Sequence, residues 1–307
     1  MNKQDLITLK QLPGVGDTVI NKILELEPEN IRDFCVSHKK YGLRIRQKDK
    51  FENALENIDY YEEKALSIIN DCEKKNIKIV TVKDNNYPEL LKRIGSAPPT
   101  ILYYKTKSPK NLIWPYNKNI AIVGTRNCTE EGRSWAYHAA NKLTDEGFNI
   151  ISGLASGIDT AAHKGSINSG YGKGITTAIV TNVDKISPKS NINLSEQIIN
   201  NDGVLMSENP PDVTFQPSQL ISRNKIQTGV SQFVIVVECP EKGGTISTIN
   251  YAKNQRRKIF IPDWYNMETP ERYTLRKLLA ENSAIAIKLH EINQLNEIAK
   301  KSNDTLF

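Results

Sequence analysis

Cysteine is scarce, and its spacing excludes two classes of small stabilised domain. The four cysteines among 307 residues are Cys35, Cys72, Cys128 and Cys239, so no C-x-x-C pair occurs. A zinc knuckle needs such pairs, and a disulfide framework is typical of short secreted chains with closely spaced cysteines. We therefore expect no structural metal and a protein that works in the reducing cytoplasm.

Long apolar runs are missing as well. A membrane-spanning helix needs about 18 consecutive apolar residues, and no segment of the chain offers them. The N-terminal sequence MNKQDLITLK does not resemble a signal peptide. Hydrophobic residues make up 38% and charged residues 25% of the chain, which is typical of a globular protein without membrane contact.

The common nucleotide-binding signatures are also absent. Gly124 does not open a G-x-G-x-x-G run, and the next predicted strand ends in Ser152-Gly153 instead of an acidic residue for a ribose. Gly153 and Gly157 are not followed by the Lys-Ser or Lys-Thr of a Walker A loop. We therefore expect neither NAD binding nor ATPase activity, and no cofactor is predicted.

Catalytic constellations are equally hard to find. Asp159 and His163 are four residues apart and would share a helix face, but no nucleophile stands beside them. A capping aspartate and a packed histidine are the favoured interpretation. We predict no catalytic residue and no metal ligand.

The charge is mildly positive and locally uneven. A net charge of +6 favours an anionic partner, although a solvated basic surface explains it more simply. Lysines and arginines cluster in residues 38–50 and 253–258. Neither run is long enough to indicate a nucleic-acid-binding tail by itself.

Residues 1–62 are predicted to form a small all-helical domain. The segment LITLKQLPGVGDTVINKILEL places Pro13, Gly14 and Gly16 between two stretches of helical periodicity. Such a turn resembles a helix–hairpin–helix or SAM-like unit. Its backbone N–H groups could contact a DNA phosphate, but plain helix packing is the favoured role.

Residues 63–300 are predicted to form an α/β domain with an extended Rossmann-like, doubly wound and mostly parallel sheet. Short β-branched runs alternate there with helical segments, and the runs are apolar throughout, as expected of strands buried on both faces. The predicted strands are residues 78–83, 119–124, 148–152, 175–180, 233–238 and 258–262. Pro98, Pro99, Pro109 and Pro115 interrupt the lead-in to the central strands. A final helix–strand–helix follows, and residues 301–307 are expected to form a tail without a winged-helix domain.

Four predicted loops at the carboxyl ends of the strands have a composition suited to phosphate. Glycines let the backbone approach an anion, and arginine adds a planar pair of donors. The loops carry Gly124-Thr125-Arg126; Ser152, Gly153 and Gly157; Arg223-Asn224-Lys225; and Gly243-Gly244-Thr245 with Thr248. We expect a phosphate-bearing ligand at this edge, with Arg126 and Arg223 on exposed loops.

The order and spacing of these segments resemble the DprA/Smf family. The resemblance spans residues 77–262 and includes IAIVGTR, SGLASGIDTAAHKG, PKSN, SENPPD, SRNK, VIVVE and GGTISTI. It implies an extended Rossmann fold that binds single-stranded DNA, usually as a homodimer, and helps to load a RecA-type recombinase in natural transformation. By position, it also implies that the residues of the four loops contact DNA. Lys189, in PKSN, is a further cation candidate.

Several positions depart from the family pattern. Leu220-Ile221 stand where Phe-Pro is common, so stacking on a base, worth about 1–3 kcal/mol, is expected to be weaker. Thr181-Asn182 replace a glycine loop, and Gly243 and Asp263 stand where serine and glycine are common. These departures leave open a diverged member that acts in defence against foreign DNA.

Two other functions also remain open. One is a sensor for a small nucleotide that uses the same pocket. The other is a LOG-type phosphoribohydrolase acting on nucleoside monophosphates. Against the hydrolase, Gly243-Gly244-Thr245 lacks the interposed residue and the second glycine of a Gly-Gly-x-Gly-Thr loop, and residues 246–250 contain no carboxylate for acid–base chemistry.

Overall fold

The computed structural model describes residues 1–95, 97–108, 118–171 and 174–304. Pro109 and Pro115, two of the prolines expected to break the lead-in, lie outside the described residues. Within the described residues, one nine-stranded sheet forms in the order β1-β2-β6-β5-β4-β3-β7-β8-β9. The strands are β1 Lys78–Thr81, β2 Ile101–Lys105, β3 Asn119–Val123, β4 Asn149–Ser152, β5 Thr176–Ile179, β6 Val204–Ser207, β7 Phe233–Val236, β8 Lys258–Pro262 and β9 Ile285–Ile287.

Helices precede the sheet and cover both of its faces. They are α1 Lys3–Gln11, α2 Asp17–Glu25, α3 Ile31–Ser37, α4 Lys48–Glu56, α5 Ile58–Lys74, α6 Glu89–Lys92, α7 Glu130–Asp145, α8 Ile158–Ile167, α9 Ile192–Asn200, α10 Ser218–Gly229, α11 Thr245–Asn254, α12 Tyr273–Ala280 and α13 Leu295–Asp304. Short 3-10 helices lie at His38–Tyr41, Lys189–Asn191, Pro270–Arg272 and Leu289–Gln294.

The predicted mostly parallel sheet is confirmed, with one antiparallel strand near an edge. Strands β3 to β9 pair in parallel, whereas β2 runs antiparallel to both β1 and β6. All six predicted runs contain strands, and β9 lies in the predicted helix–strand–helix. Sequence reasoning missed β2 and β6. Strand β2 follows directly on the prolines that suggested broken structure.

The core lies on the two faces of the sheet. Alternate residues of β2 face opposite sides: Leu102 and Tyr104 belong to one apolar cluster, and Ile101 and Tyr103 to the other. The second cluster continues without interruption into the apolar faces of the N-terminal helices. Helix α5 runs straight through residue 62, where the sequence placed the end of the helical unit. The N-terminal helices therefore pack on one face of the sheet.

Candidate functional site

A cleft opens where the direction of chain crossover reverses. Strand β3 pairs with β4 on one side and with β7 on the other, and the chain moves outward from each in opposite directions. Ligands of open α/β sheets bind at such a point, beyond the carboxyl ends of the strands. The cleft measures about 450 Å³ and is lined by the loops after β3 and β7, the start of α8 and one face of α10.

The loop after β3 brings a free cation to this cleft. A Cβ on Gly124 would lie 2.5 Å from the Ile158 side chain, so only glycine lets the loop pack against α8. The Thr125 N–H donates to the Glu238 carbonyl at 3.0 Å and fixes the loop to the end of β7. Arg126 follows, exposed and lining the cleft, without an ion-pair partner among the described residues. The loop therefore presents a charged side chain on a fixed backbone.

A buried carboxylate holds the far end of the same loop. Glu238, fully buried, accepts hydrogen bonds from the N–H of Thr129 at 2.9 Å and from its hydroxyl at 2.6 Å. Thr129 in turn caps α7 by accepting from the N–H of Gly132 at 2.9 Å. Arg272 lies 3.6 Å from Glu238 with its guanidinium over the ring of Trp264, and it also pairs with Glu131. Sequence reasoning missed this network, whose one signal was a glutamate ending the apolar run FVIVVE.

The SGLASGID segment forms the adjoining wall. Gly157 has a φ of +78°, and a Cβ there would lie 2.4 Å from the Arg126 carbonyl oxygen. Asp159 was predicted to cap α8, but Gly157 is the N-cap, and Asp159 lies inside the first turn. Its carboxylate instead accepts from the N–H groups of Gly153 at 3.2 Å and Ala155 at 3.3 Å. Burial raises the pKa of Asp159, and Arg223 and these amides oppose that rise.

Arg223 corrects a prediction, since it is neither exposed nor on a loop. It lies in α10 with 9% of its surface exposed, and its Nη1 donates to the Gly153 carbonyl oxygen at 2.6 Å. Burial lowers the pKa of its guanidinium, although arginine stays protonated in proteins. Among the described residues, its Nε has no hydrogen-bond partner, yet the side chain lines the cleft. An unpaired buried N–H at this wall would suit an anionic oxygen.

The start of α11 completes the cleft. The side-chain amide of Asn224 donates to the Ser247 hydroxyl at 2.8 Å and so ties α10 to α11. Gly244 is the N-cap of α11, and Gly243, Thr245 and Thr248 also line the cleft. A helix N-terminus directs backbone N–H groups and a partial positive charge toward a bound anion.

Five predicted site residues do not line the cleft, and Gly157, described above, is one of them. Lys225 points away from it, since its Nζ donates to the Ala97 carbonyl oxygen at 2.6 Å. Lys189 is exposed on a separate 3-10 helix. Ser152 is buried and donates to the Ile122 carbonyl at 2.7 Å. Gly153 lies behind Arg223, where a Cβ would meet the guanidinium at 2.7 Å. These residues support the site from outside or lie apart from it.

Helix α10 and its N-cap add residues that were not among the predicted phosphate contacts, although the sequence singled out Leu220-Ile221 as an altered stacking position. Pro217, Leu220, Ile221 and Gln227 line the cleft together with Asn224. Their spacing of three and four residues is that of one helix face, a signal that predicting a helix here would have revealed. Leu220 and the half-exposed Ile221 give this rim an apolar character.

The chemistry of the cleft favours anion binding over proton transfer. Among the described residues that line it, Asp159 is the one carboxylate, and it is bound to backbone amides. The prediction of a packed histidine is confirmed: His163 is fully buried, its Nδ1 lies 2.8 Å from the Thr176 hydroxyl, and burial lowers its pKa to about 3. Over the described ranges, no cluster of His, Cys, Asp or Glu could hold a metal ion, and all four cysteines are free thiols.

In the part of the chain that the structure describes, no helix combines the length and the apolar character needed to cross a bilayer.

Comparison with known sequences points to one family. Residues 78–301 match the family of DNA recombination-mediator protein A. The protein Smf of Synechocystis is 35% identical over 196 residues, which cover 64% of this chain and 48% of that protein. The DNA processing protein DprA of Bacillus subtilis is 33% identical over 67% of this chain and 68% of its own length. The chain thus spans from about half to two thirds of these relatives.

Solved structures agree with the sequence comparison. The DNA processing protein DprA of Streptococcus pneumoniae matches with a TM-score of 0.77 and 26% identity, over 94% of this chain and 95% of that one. DNA processing protein A of Helicobacter pylori, whose structure was solved to describe its single-stranded DNA binding mode, shares the fold. That match has a TM-score of 0.61 and 22% identity, over 72% of this chain and 96% of the other.

Proposed function

The chain belongs to the DNA recombination-mediator protein A family, and we propose that it binds single-stranded DNA in the cleft at the carboxyl edge of its sheet. The observation that carries the proposal is the meeting of three kinds of donor in one cleft. These are the exposed Arg126, the buried Nε of Arg223 and the N-terminus of α11. Charge-assisted hydrogen bonds to phosphate are about twice as strong as neutral ones.

The shape of the cleft supports a single strand over a duplex. The donors of the cleft suit a sugar-phosphate backbone, which a single strand presents as fully as a duplex does. The apolar rim at Leu220 and Ile221 offers contact to an unstacked base, which a duplex does not present. Backbone contacts of this kind imply little sequence preference.

The family and the resemblance described above extend the proposal to a cellular role. The protein would protect single-stranded DNA in the cytoplasm and help to load a RecA-type recombinase onto it, acting as a homodimer. It would do so without catalysis, because the one carboxylate at the cleft is occupied by amide hydrogen bonds. Absence of turnover of nucleoside monophosphates by the purified protein would agree with this role, and turnover lost in Thr245→Ala would contradict it.

Fluorescence polarisation of a labelled oligonucleotide tests the binding itself. We expect tight binding to single strands, much weaker binding to a duplex of equal length, and a slope of log affinity against log salt of about −0.7 per neutralised phosphate. Equal or tighter duplex binding would contradict the proposal.

Arg126→Ala tests the location of the site. Loss of one charge-assisted contact, worth about 1.5–3 kcal/mol, should weaken single-strand binding about ten- to a hundredfold. Lys118→Ala is the matched control, because Lys118 is an exposed cation just before β3, at the opposite edge of the sheet. If both variants bind like the wild type while a free nucleotide occupies the cleft, the site serves a small ligand instead.

A further inference from the structure

The N-terminal helices carry a concentrated basic segment that the cleft does not use. Residues 39–50 hold six cations and one carboxylate, a net charge of +5, whereas the rest of residues 1–62 holds four cations and ten carboxylates, a net charge of −6. The cations are Lys39, Lys40, Arg44, Arg46, Lys48 and Lys50, and each is exposed. Among the described residues, none of the six forms an ion pair, although ten carboxylates are available in the same unit. Ion pairing within the N-terminal unit therefore does not account for these six cations.

The turn between α1 and α2 places this segment at the same edge of the sheet as the cleft. Gly14 has a φ of +75°, and a Cβ there would lie 1.8 Å from the Arg46 carbonyl oxygen, so the basic segment lies directly on the turn. Asp17, which opens α2, accepts from the N–H of Thr100 at 2.9 Å and from its hydroxyl at 2.7 Å. Thr100 precedes β2, and β2 runs antiparallel to β6. Because of that direction, β2 begins at the carboxyl edge.

Helix α10 lies between the cleft and the N-terminal unit that carries the basic segment. One of its faces lines the cleft, and on its other side Lys225 donates to the Ala97 carbonyl oxygen. The side-chain amide of Asn21, in α2, donates to the Pro98 carbonyl oxygen at 3.1 Å, so the segment that Lys225 holds is also bound to the N-terminal unit. Residues 97–100 thus link the helix that lines the cleft to the α1–α2 turn on which the basic segment lies.

We propose that residues 39–50 form a second binding surface, which contacts the phosphates of the same single strand as it leaves the cleft and crosses α10. The inference rests on the proposed function, since the strand must first occupy the cleft. The ligand class is the backbone of single-stranded DNA, bound through unpaired, solvated cations without base readout. Such a surface lengthens the occupied stretch of DNA and adds to the salt dependence of binding.

Short and long oligonucleotides distinguish binding in the cleft from binding by the basic segment. The variant Arg44→Gln/Arg46→Gln/Lys48→Gln should bind an oligonucleotide of about six nucleotides as the wild type does, because so short a strand fills only the cleft. For a strand of about 30 nucleotides, its affinity should fall roughly 10- to 100-fold and its salt slope should drop by about 2, since three phosphate contacts are lost. Far-ultraviolet circular dichroism checks that the variant is folded.

A matched variant controls for the overall loss of charge. Lys78→Gln/Lys118→Gln/Lys164→Gln removes three exposed lysines at or near the opposite edge of the sheet. It should retain the affinity and the salt slope for both lengths. Equal losses in the two triple variants would overturn the proposal, and so would unchanged binding of the long strand by the first.

Three further outcomes are distinguishable. If the first triple variant loses affinity for the long strand while Arg126→Ala binds both lengths normally, the second surface stands and the cleft proposal fails. If it loses affinity for duplex as strongly as for single strands, the segment binds duplex DNA, and the inference is wrong. If it changes the sedimentation coefficient of the free protein while DNA affinity stays constant, the segment pairs with the acidic remainder of another copy, and the inference is wrong.

Discussion

Arg223→Ala is expected to lower the free energy of unfolding, whereas the exposed loop on which the sequence placed Arg223 would make the change nearly neutral for stability. The side chain is nine-tenths buried, donates to the Gly153 carbonyl oxygen and opposes the buried charge of Asp159. An unpaired buried carbonyl costs about 1–3 kcal/mol. We therefore expect a loss of about 1–3 kcal/mol in the free energy of unfolding at neutral pH, to which the uncompensated charge of Asp159 adds.

The pH dependence of this loss identifies its cause. Burial raises the pKa of Asp159 above its ordinary value, and Arg223 holds that rise in check. A carboxyl with a raised pKa in the folded state contributes its full stability below the unfolded pKa and loses it as pH rises through the folded pKa. Without Arg223, the pKa of Asp159 rises further, so the folded variant is penalised most at neutral pH. The deficit should therefore shrink as the pH falls from 7 toward 5.

Urea unfolding followed by circular dichroism at both pH values measures these effects. Arg223→Ala combined with Asp159→Asn should recover part of the lost stability, because the buried charge that lacked its partner is gone. Arg126→Ala is the matched control: it removes an exposed arginine at the same cleft and should change stability by less than about 0.5 kcal/mol. A stability of Arg223→Ala equal to that of the wild type, or a deficit unaffected by both pH and Asp159, would refute this reasoning.

Two further predictions concern Gly157, beside the cleft, and the buried His163. Gly157→Ala should weaken single-strand binding in the polarisation assay, because a Cβ at its φ of +78° meets the Arg126 carbonyl oxygen; Gly170→Ala, with open space around it, should not. Burial lowers the pKa of His163 to about 3, so an unfolded chain takes up a proton below about 6.5 that the folded chain refuses. The free energy of unfolding should then fall as the pH drops below 6.5, by at most about 1.4 kcal/mol per pH unit from this group. Urea unfolding at several pH values measures this slope, and an equal slope in His163→Gln would contradict the prediction.

Most of the sheet was predictable because its strands are buried on both faces. Uniformly apolar runs such as residues 119–123 and 233–236 leave little choice but a parallel strand covered by helices. Strand β2 was missed because two prolines precede it, although its run Ile-Leu-Tyr-Tyr is as apolar and aromatic as the others. Its antiparallel direction depends on pairing with β6, about a hundred residues later, which no local pattern encodes.

The glycines of the site were predictable, whereas the residues that hold them in place were not. Gly124 and Gly157 are required by close backbone approaches within two adjoining loops. Glu238 and Arg272 act through partners far away in sequence, since Glu238 binds Thr129 and Arg272 pairs with Glu131. A single buried carboxylate or guanidinium has no periodicity of its own, so its role emerges only with the tertiary structure.

The basic triplet at residues 223–225 shows how much depends on assigning the right secondary structure. Treated as a loop, its three side chains seemed to form one set of contacts to DNA. In α10, successive residues are rotated by about 100°, so Lys225 lies about 200° around the helix from Arg223. Arg223 and Asn224 therefore line the cleft, while Lys225 binds the Ala97 carbonyl oxygen on the side of the N-terminal helices. Helix α10 thus lines the cleft with one face and with the other holds the segment before β2, which is in turn bound to α2, so the register of α10 determines which side chains serve each contact.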